Sequence, residues 1–254
     1  MDQRIDQESG RHFLKDSIRM VTDFSKTGQG CGLPPPPVEK PFDPSARRVA
    51  LPKPGQWKNI KPISVEEAIG RRESRRKFSK APLTLDELTF LLWSTQGIRR
   101  KLASGIALRT VPSAGARHAF ETYLGVLNVT GLEPGLYRYL PIEHELLFER
   151  AVKNLDAELA TAALGQEFAD SAAVTFVWTT LPARMEWRYG DASYKVIAVD
   201  AGHMGQNLYL ACEVIGAGTC AIGAYDQDAM DRLLGVDGKD EFTVYVSPVG
   251  KVPA

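Results

Sequence analysis

The segment that most restricts the fold is ASYKVIAVDAGHMGQNLYLACEVIGAG, residues 192–218. It reads as one helix from about Ala192 to Ile215. Val196, Val199, His203, Gln206, Leu210 and Val214 follow helical spacing, while Ala198, Ala201, Gly202 and Gly205 make a second face of very small residues. Glycine is a poor helix former, so such a face needs a packing reason: it lets another helix or a planar ligand approach the backbone. The expectation is a tightly packed central helix, with a dimer interface as one use of its small face. His203 within it reads as a hydrogen-bonded core residue rather than a catalyst.

Residues 1–60 have a different character. Pro34 to Pro37 stand in a row, followed by Pro41, Pro44, Pro52 and Pro54. Such a stretch favours extended polyproline geometry and cannot build its own core. It is expected to be an arm on the main domain or on a neighbouring subunit, with a disordered tail as the alternative. One short helix is expected around Lys15–Phe24. Residues 61–254 form the main domain.

Within that domain Ser64 and Glu67, and again Thr84 and Glu87, have the form of capping boxes. The first helix places Val65, Ala68 and Ile69 near one face, and the second carries a Leu85, Leu88, Leu91, Leu92 stripe ending near Gly97. Gly97–Leu108 is expected to be a charged loop. Strand-like alternation marks Phe120–Val129, Leu136–Leu140 and Glu145–Phe148 as a meander. Asn154–Leu164 reads as a helix, Ala172–Thr180 as a buried strand and Thr219–Tyr225 as a short strand containing Gly223. Asp226 caps a helix over 227–234 that Gly235 stops, and Phe242–Val246 is a last strand.

Candidate chemistry begins at Arg71, Arg72, Ser74, Arg75 and Arg76. In an extended chain Arg72, Ser74 and Arg76 point the same way, and two guanidinium forks beside a hydroxyl suit a phosphate. A solvated basic helix end is the alternative. Pro112, Ser113, Ala114 and Gly115 make a small-residue turn whose backbone can approach a flat ligand, or an ordinary loop. Gly223 marks close approach of a ligand or backbone. Lys251, after a strand and a glycine, completes an anion site or is a solvated terminus.

The 254 residues carry 31 basic and 31 acidic side chains, a balance that argues against nucleic acid as partner. No apolar run reaches the ~18 residues of a membrane span, and the N-terminus lacks the apolar core of a signal peptide. Cys31, Cys212 and Cys220 form no CxxC pair, so reduced thiols in a cytoplasmic protein are expected. The four scattered histidines show no metal-ligand spacing, and no P-loop or GxSxG elbow is present. If the chain is an enzyme, an organic cofactor carries the hard chemistry.

In order, these segments resemble the FMN-dependent nitroreductase superfamily, in its SagB/thiazoline-oxidase-like dehydrogenase branch, from about Ile63 to Lys251. RESRR at 72–76 with Phe78 resembles the family's first FMN motif, implying that Arg72, Ser74 and Arg76 hold the phosphate and ribityl chain. RTVPSAGA at 109–116, with His118 and Glu121, is similar to the loop that covers the flavin from the partner subunit, implying roles for Pro112, Ser113, Ala114 and Gly115. DAGH at 200–203 with Gln206 and Asn207 resembles the branch's long-helix signature. Ala221, Ile222, Gly223 and Ala224, before Tyr225, stand where backbone N–H groups face the flavin N5, and Gly250 with Lys251 resembles the segment whose lysine reaches the phosphate. The resemblance implies an α+β, three-layer sandwich with a central, mostly antiparallel sheet flanked by helices, in a domain-entwined homodimer with shared flavin sites. It implies hydride transfer through flavin N5, no catalytic side chain and no metal.

Two departures stand out. Glu73 occupies a position that is often basic or polar. Arg188 and Tyr189, the expected substrate residues, lie where related azoline oxidases carry a Lys–Tyr pair; arginine stays protonated and is a poor base. SagB-type dehydrogenation of a peptide-derived ring is therefore expected alongside two alternatives. One is an NAD(P)H-dependent nitro or quinone reductase acting on a small molecule, with nicotinamide as transient donor. The other is a non-catalytic flavin-binding assembly subunit.

Overall fold

The computed structural model describes residues 7–103 and 106–253. Residues 1–6 of the expected arm, positions 104–105 in the expected Gly97–Leu108 loop and the final Ala254 lie outside the described residues.

The central strands β4 (Phe120–Val126) and β7 (Val174–Thr180) are buried along their whole length, as strands covered on both faces must be. With β1 (Arg48–Ala50), β5 (Gly135–Leu140), β6 (Glu145–Arg150), β8 (Ala217–Thr219) and β9 (Phe242–Lys251) they form a seven-stranded sheet ordered β1-β6-β5-β4-β7-β9-β8. Each neighbouring pair is antiparallel. Because side chains alternate across a strand, the two faces bury different residues. Leu124, Phe176 and Trp178 pack with α3 (Leu85–Gln96) and α6 (Ser193–Val214). Tyr123, Val177 and Val246 pack with α4 (Leu155–Ala162) and α7 (Gln227–Leu234). The result is the expected α+β three-layer sandwich.

Local signals set several helix ends. Thr84 and Glu87 make a complete capping box at α3, Asp226 accepts the Ala229 N–H at 2.9 Å, and Gly235 ends α7 with φ 77°. At α2 (Val65–Arg71) only the Ser64 half of the box forms, accepting the Glu67 N–H at 3.0 Å. Val65 and Ile69 are exposed, so the expected apolar face of α2 reduces to Ala68.

Other expectations are corrected. After α1 (Gln7–Leu14), the helix expected at Lys15–Phe24 is replaced by 3-10 turns at Ser17–Met20 and Phe24–Lys26. The Asp23 carboxylate takes both the N–H and the O–H of Ser25, local bonds that compete with a continuous helix. The expected loop at Gly97–Leu108 contains a ribbon, β2 (Ile98–Ala103) against β3 (Ile106–Arg109), whose register irregularities blur the sequence alternation. The strand expected at Thr219–Tyr225 is shifted: β8 ends at Thr219, and beyond it only Ile222 bridges Val246. β9 runs past Val246 to Lys251 despite Pro248, which has no N–H to donate but whose carbonyl accepts from Thr219 Oγ1 at 2.8 Å.

The long helix is present, but its inward face differs from the expected stripe. Ile197, Ala201, Met204, Leu208 and Ala211 are buried, while Val199 is 51% exposed. His203 is not a core histidine: its side chain is 45% exposed, with Nδ1 3.9 Å from Asp200 Oδ1. Gly205 does have a packing reason, since a Cβ there would sit 2.7 Å from Tyr245 Cε1.

The proline-rich segment lies on the main domain of its own chain. β1 pairs with β6 at the sheet edge. Arg109 Nη2 donates to the Val38 carbonyl at 2.6 Å, the Lys40 N–H donates to Glu121 Oε1 at 2.8 Å, and Arg138 donates to the carbonyls of Lys40 and Pro41. Glu39 accepts the Ile142 N–H at 2.9 Å. Burial, with Glu143 beside it, pushes the Glu39 carboxyl from 4.5 up to about 8. The docked arm thus holds more protons than the undocked one between those values, so docking is fullest below the lower and weakens as pH climbs to the upper. Amide exchange at Glu39 and Lys40, corrected for its intrinsic pH dependence, is expected to speed up from about pH 5 to about pH 8 and then level off. Protection that stays constant across this window would contradict it.

Candidate functional site

At the C-terminus of α2 the chain leaves the helix at Arg72, φ −54° and ψ 122°, and runs extended along the outer edge of β8. Ser74 bridges Thr219 in parallel, and the Arg75 N–H donates to the Thr219 carbonyl at 2.9 Å. Further on, the Ser79 N–H donates to the Lys251 carbonyl at 2.8 Å, and Phe78 fills the space a side chain at Gly250 would need.

This run of arginines divides into two kinds. Arg71 pairs with Glu67 at 2.5 Å, and Arg75 with Glu73 at 2.8 Å and, more loosely, with Glu213 at 3.9 Å. Arg72 and Arg76 have no carboxylate partner among the described residues. The Arg72 guanidinium lies 5.5 Å from the Tyr209 ring centre and that of Arg76 5.9 Å from the Phe168 ring centre. An aromatic face attracts a cation but does not neutralise it. Glu73, the departure noted above, therefore compensates Arg75 and leaves the other pair uncompensated. Lys251 comes to the same edge, but its ammonium is committed to Glu87 at 2.5 Å and to the Ile215 carbonyl at 2.6 Å.

Tyr209 of α6 joins these parts, and sequence reasoning missed it. Its hydroxyl is 3.0 Å from Ser74 Oγ and accepts the Ala221 N–H at 2.9 Å, while its ring backs Arg72. One phenol thus ties the arginine strand to the segment after β8. In that segment the Ile222 N–H is used by the Val246 carbonyl. Among the described residues the N–H groups of Gly223 and Ala224 donate to no protein atom, and a Cβ at Gly223 would meet open space. The expected close approach at Gly223 is thus not to another part of this chain.

The second cluster gathers around the turn at Pro112–Gly115. Gly115, Ala116 and His118 have φ of 59°, 52° and 47°, so a tight left-handed path includes two residues with side chains. The His118 N–H donates to Ser113 Oγ at 3.0 Å and locks the turn. Burial and the Arg109 guanidinium push the His118 imidazole down to about 2, so it is neutral. A Cβ at Gly115 would sit 2.8 Å from Arg188 Nε and 2.9 Å from Tyr189 Oη, the last residues of α5 (Ala183–Tyr189). The structure therefore brings Gly115, Arg188 and Tyr189 together. Burial raises the Asp200 carboxyl above its usual range, opposed by Ser113, the Ala114 N–H and His203.

Both clusters hang on α6. Asp200 serves the turn, and Tyr209 serves the arginine strand. At 3.6 residues per turn these two lie on opposite flanks of the helix and about 13 Å apart along it. Between the flanks runs an exposed stripe of Val199, Gly202, His203 and Gln206.

A family model described as the nitroreductase family matches residues 69–251. A candidate nitroreductase of Methanocaldococcus jannaschii is 32% identical over 200 residues, covering 77% of this chain and 95% of its own length. The trifolitoxin-processing protein TfxB of Rhizobium leguminosarum bv. trifolii is 31% identical over 170 residues, 62% of this chain and 46% of its own length. The crystal structure of a candidate nitroreductase from Anabaena variabilis superposes with a TM-score of 0.68 at 29% identity, over 85% of this chain and 43% of that one. The chain thus spans nearly all of the first relative and less than half of the other two.

Proposed function

The chain belongs to the nitroreductase family, and on that premise we propose that it is an FMN-dependent oxidoreductase related to the SagB-type dehydrogenases. The observation that carries the reading is the division of the arginine run: Arg71 and Arg75 are neutralised, whereas Arg72 and Arg76, flanking Ser74, are not. Uncompensated guanidinium forks beside a hydroxyl fit a phosphate. The donors of Gly223 and Ala224, open to solvent and without protein acceptors, fit the polar edge of a flat ring. FMN, when bound, supplies hydride transfer at its N5.

In this proposal Arg72, Ser74 and Arg76 hold the phosphate and ribityl chain. Lys251 supports them only by leaving Glu87. Ala221, Ile222, Gly223 and Ala224 line the ring; of their N–H groups, those of Gly223 and Ala224 remain to meet negative charge without a side-chain base. Pro112, Ser113, Ala114 and Gly115 cover a flavin held by a second copy of the chain. The opposite-flank placement of Asp200 and Tyr209 supports such a shared site, because it sets the covering turn apart from the phosphate strand of the same chain. Val199 on the exposed stripe of α6 and the exposed Val65 and Ile69 supply apolar surface for that homodimer.

Arg188 and Tyr189 contact the substrate. A guanidinium is a poor base, so Arg188 binds rather than deprotonates, and Tyr189 offers its hydroxyl as a hydrogen-bond partner. A small-molecule or peptide-derived substrate is proposed, and the likeness to a toxin-processing protein supports the peptide-derived class. The likeness to the archaeal protein favours the second reading, an NAD(P)H-dependent reductase.

The purified protein is expected to show the visible bands of oxidised flavin. A colourless protein that takes up no added FMN would falsify the reading. Anaerobic bleaching by NADH or NADPH, with recovery on adding a quinone, selects the reductase; inertness toward both excludes it. Tyr209→Phe removes the phenol oxygen that Ser74 and Ala221 share. Losing about 1 kcal/mol of hydrogen bonding is expected to weaken FMN binding about fivefold. The change should be absent in a Ser74→Ala background if Tyr209 acts through Ser74. Full additivity of the two substitutions would remove Tyr209 from that role.

A further inference from the structure

Around Tyr189 the chain collects positive charge that no carboxylate answers. Arg188 makes no ion pair among the described residues; its guanidinium lies 5.6 Å from the Tyr189 ring centre. Arg117, two residues past Gly115, is only 1% exposed. Its Nε donates to the Arg184 carbonyl at 3.2 Å, its guanidinium lies 4.7 Å from the Trp187 ring centre, and its Nη2 is buried with no hydrogen-bond partner. Burial, and then the nearby charges of Arg188 and Arg184, hold the Arg117 guanidinium below its usual proton affinity.

Four acids of this region are engaged elsewhere or shifted toward neutrality. Glu121 pairs with Arg184 and Arg138. Asp16 pairs with Arg19, whose guanidinium lies 5.4 Å from the Tyr189 ring centre. Glu186 faces Tyr194, and Asp200, beside Ser113 and Ala114, is shifted toward its neutral form. A buried guanidinium with an unsatisfied N–H and like charge beside it is costly. The cost is relieved when a bound anion supplies both the charge and the acceptor, and the planar fork of arginine matches a carboxylate.

We propose that Arg117, Arg188 and Tyr189, beside the Ser113–Gly115 turn, form a subsite for the carboxylate of the substrate. Arg188 is the accessible contact, Arg117 lies behind it, and Tyr189 adds a hydroxyl. The proposal rests on the functional reading above, since it assigns a charge to the substrate of that same site. It makes the substrate an anion, with the carboxylate held by α5 while the rest of the molecule extends along the turn. An acidic side chain or C-terminus of a peptide has this chemistry.

The flavin phosphate is a rival source of negative charge, so the test separates the two. Flavin content is measured first. Benzoate and benzamide, flat rings of similar size that differ in charge, are then titrated calorimetrically into the full chain, as purified and with added FMN. Benzoate is expected to bind about tenfold or more tightly than benzamide. Arg188→Gln should abolish that preference and Arg188→Lys should keep part of it, with FMN affinity unchanged in both. Arg117→Gln should reduce the preference, and if that variant does not fold, the Arg188 pair decides alone. Equal affinities in the unaltered protein, or a preference that survives Arg188→Gln, overturns the proposal. Loss of FMN affinity together with the preference assigns these groups to the cofactor and overturns it equally. A preference for benzoate in a chain that binds no FMN supports the subsite and sinks the cofactor reading instead.

Discussion

Replacing Arg72 and Arg76 together by alanine is expected to lower FMN affinity by roughly two to four orders of magnitude. Each charge-assisted bond contributes about 1.5–3 kcal/mol, and about 1.4 kcal/mol is a factor of ten. The loss falls on the ligand because among the described residues neither guanidinium neutralises a carboxylate, so removing them leaves no buried acid there unpaired. Arg71→Ala is the control: Arg71 is bound to Glu67 on exposed α2, and its loss should change FMN affinity less than threefold or so. Riboflavin, which keeps the ribityl chain but lacks the phosphate, should lose far less affinity than FMN in the double variant. Equilibrium titration by flavin fluorescence measures each of these affinities. A double variant that retains its FMN affinity would locate the phosphate elsewhere, with Lys251 released from Glu87 as the next candidate.

What the sequence makes legible here is local. The Thr84–Glu87 box, the Asp226 cap, the Gly235 stop and the apolar, β-branched run of Ala172–Thr180 are each contained within a few residues, and each appears in the structure. Features built by distant residues are not legible in this way. Lys40 reaches Glu121 and Glu241 across most of the chain, so the docking of the proline-rich segment could be framed only as alternatives. Helical period identified α6 but not its inward face, because apolar and small residues occur on both sides and the sheet decides which side it covers. Tyr209 has no local signature, since its importance comes from Ser74 and Ala221 arriving beside it from two other elements. The uncompensated state of Arg72 and Arg76 is a property of where Glu67, Glu73 and Glu213 point.

Neutralising Glu121 is expected to be the most destabilising single change in this region. Its side chain is about 2% exposed, with Oε1 2.5 Å from Arg184 Nη2 and Oε2 3.7 Å from Arg138 Nη1, and it accepts the Lys40 N–H. Arg138 keeps a second partner in Glu149 at 3.0 Å, but among the described residues Arg184 pairs with no other carboxylate. Burial lowers the proton affinity of Arg109 and Arg117, and the charge of Arg184 adds to it. Glu121→Gln therefore leaves a buried cation uncompensated among other cations, a loss of about 3–5 kcal/mol. For a chain of this size that corresponds to a fall in Tm of roughly 6–20 °C, and the urea midpoint should drop with it. Adding Arg184→Met should recover part of the loss, because it removes the charge that lost its partner. A Glu121→Gln midpoint within about 1 kcal/mol of the unaltered protein would show that the charges around it are satisfied by other means. The functional consequence follows from position: Arg184 sits in α5, four residues before Arg188, and Lys40 sits in the docked arm. Amide exchange in the variant should accelerate first at Lys40 and along α5, and a preference for benzoate over benzamide should shrink before global unfolding sets in. The acid that holds Arg184 in place would thereby be tied to substrate charge recognition without touching the substrate.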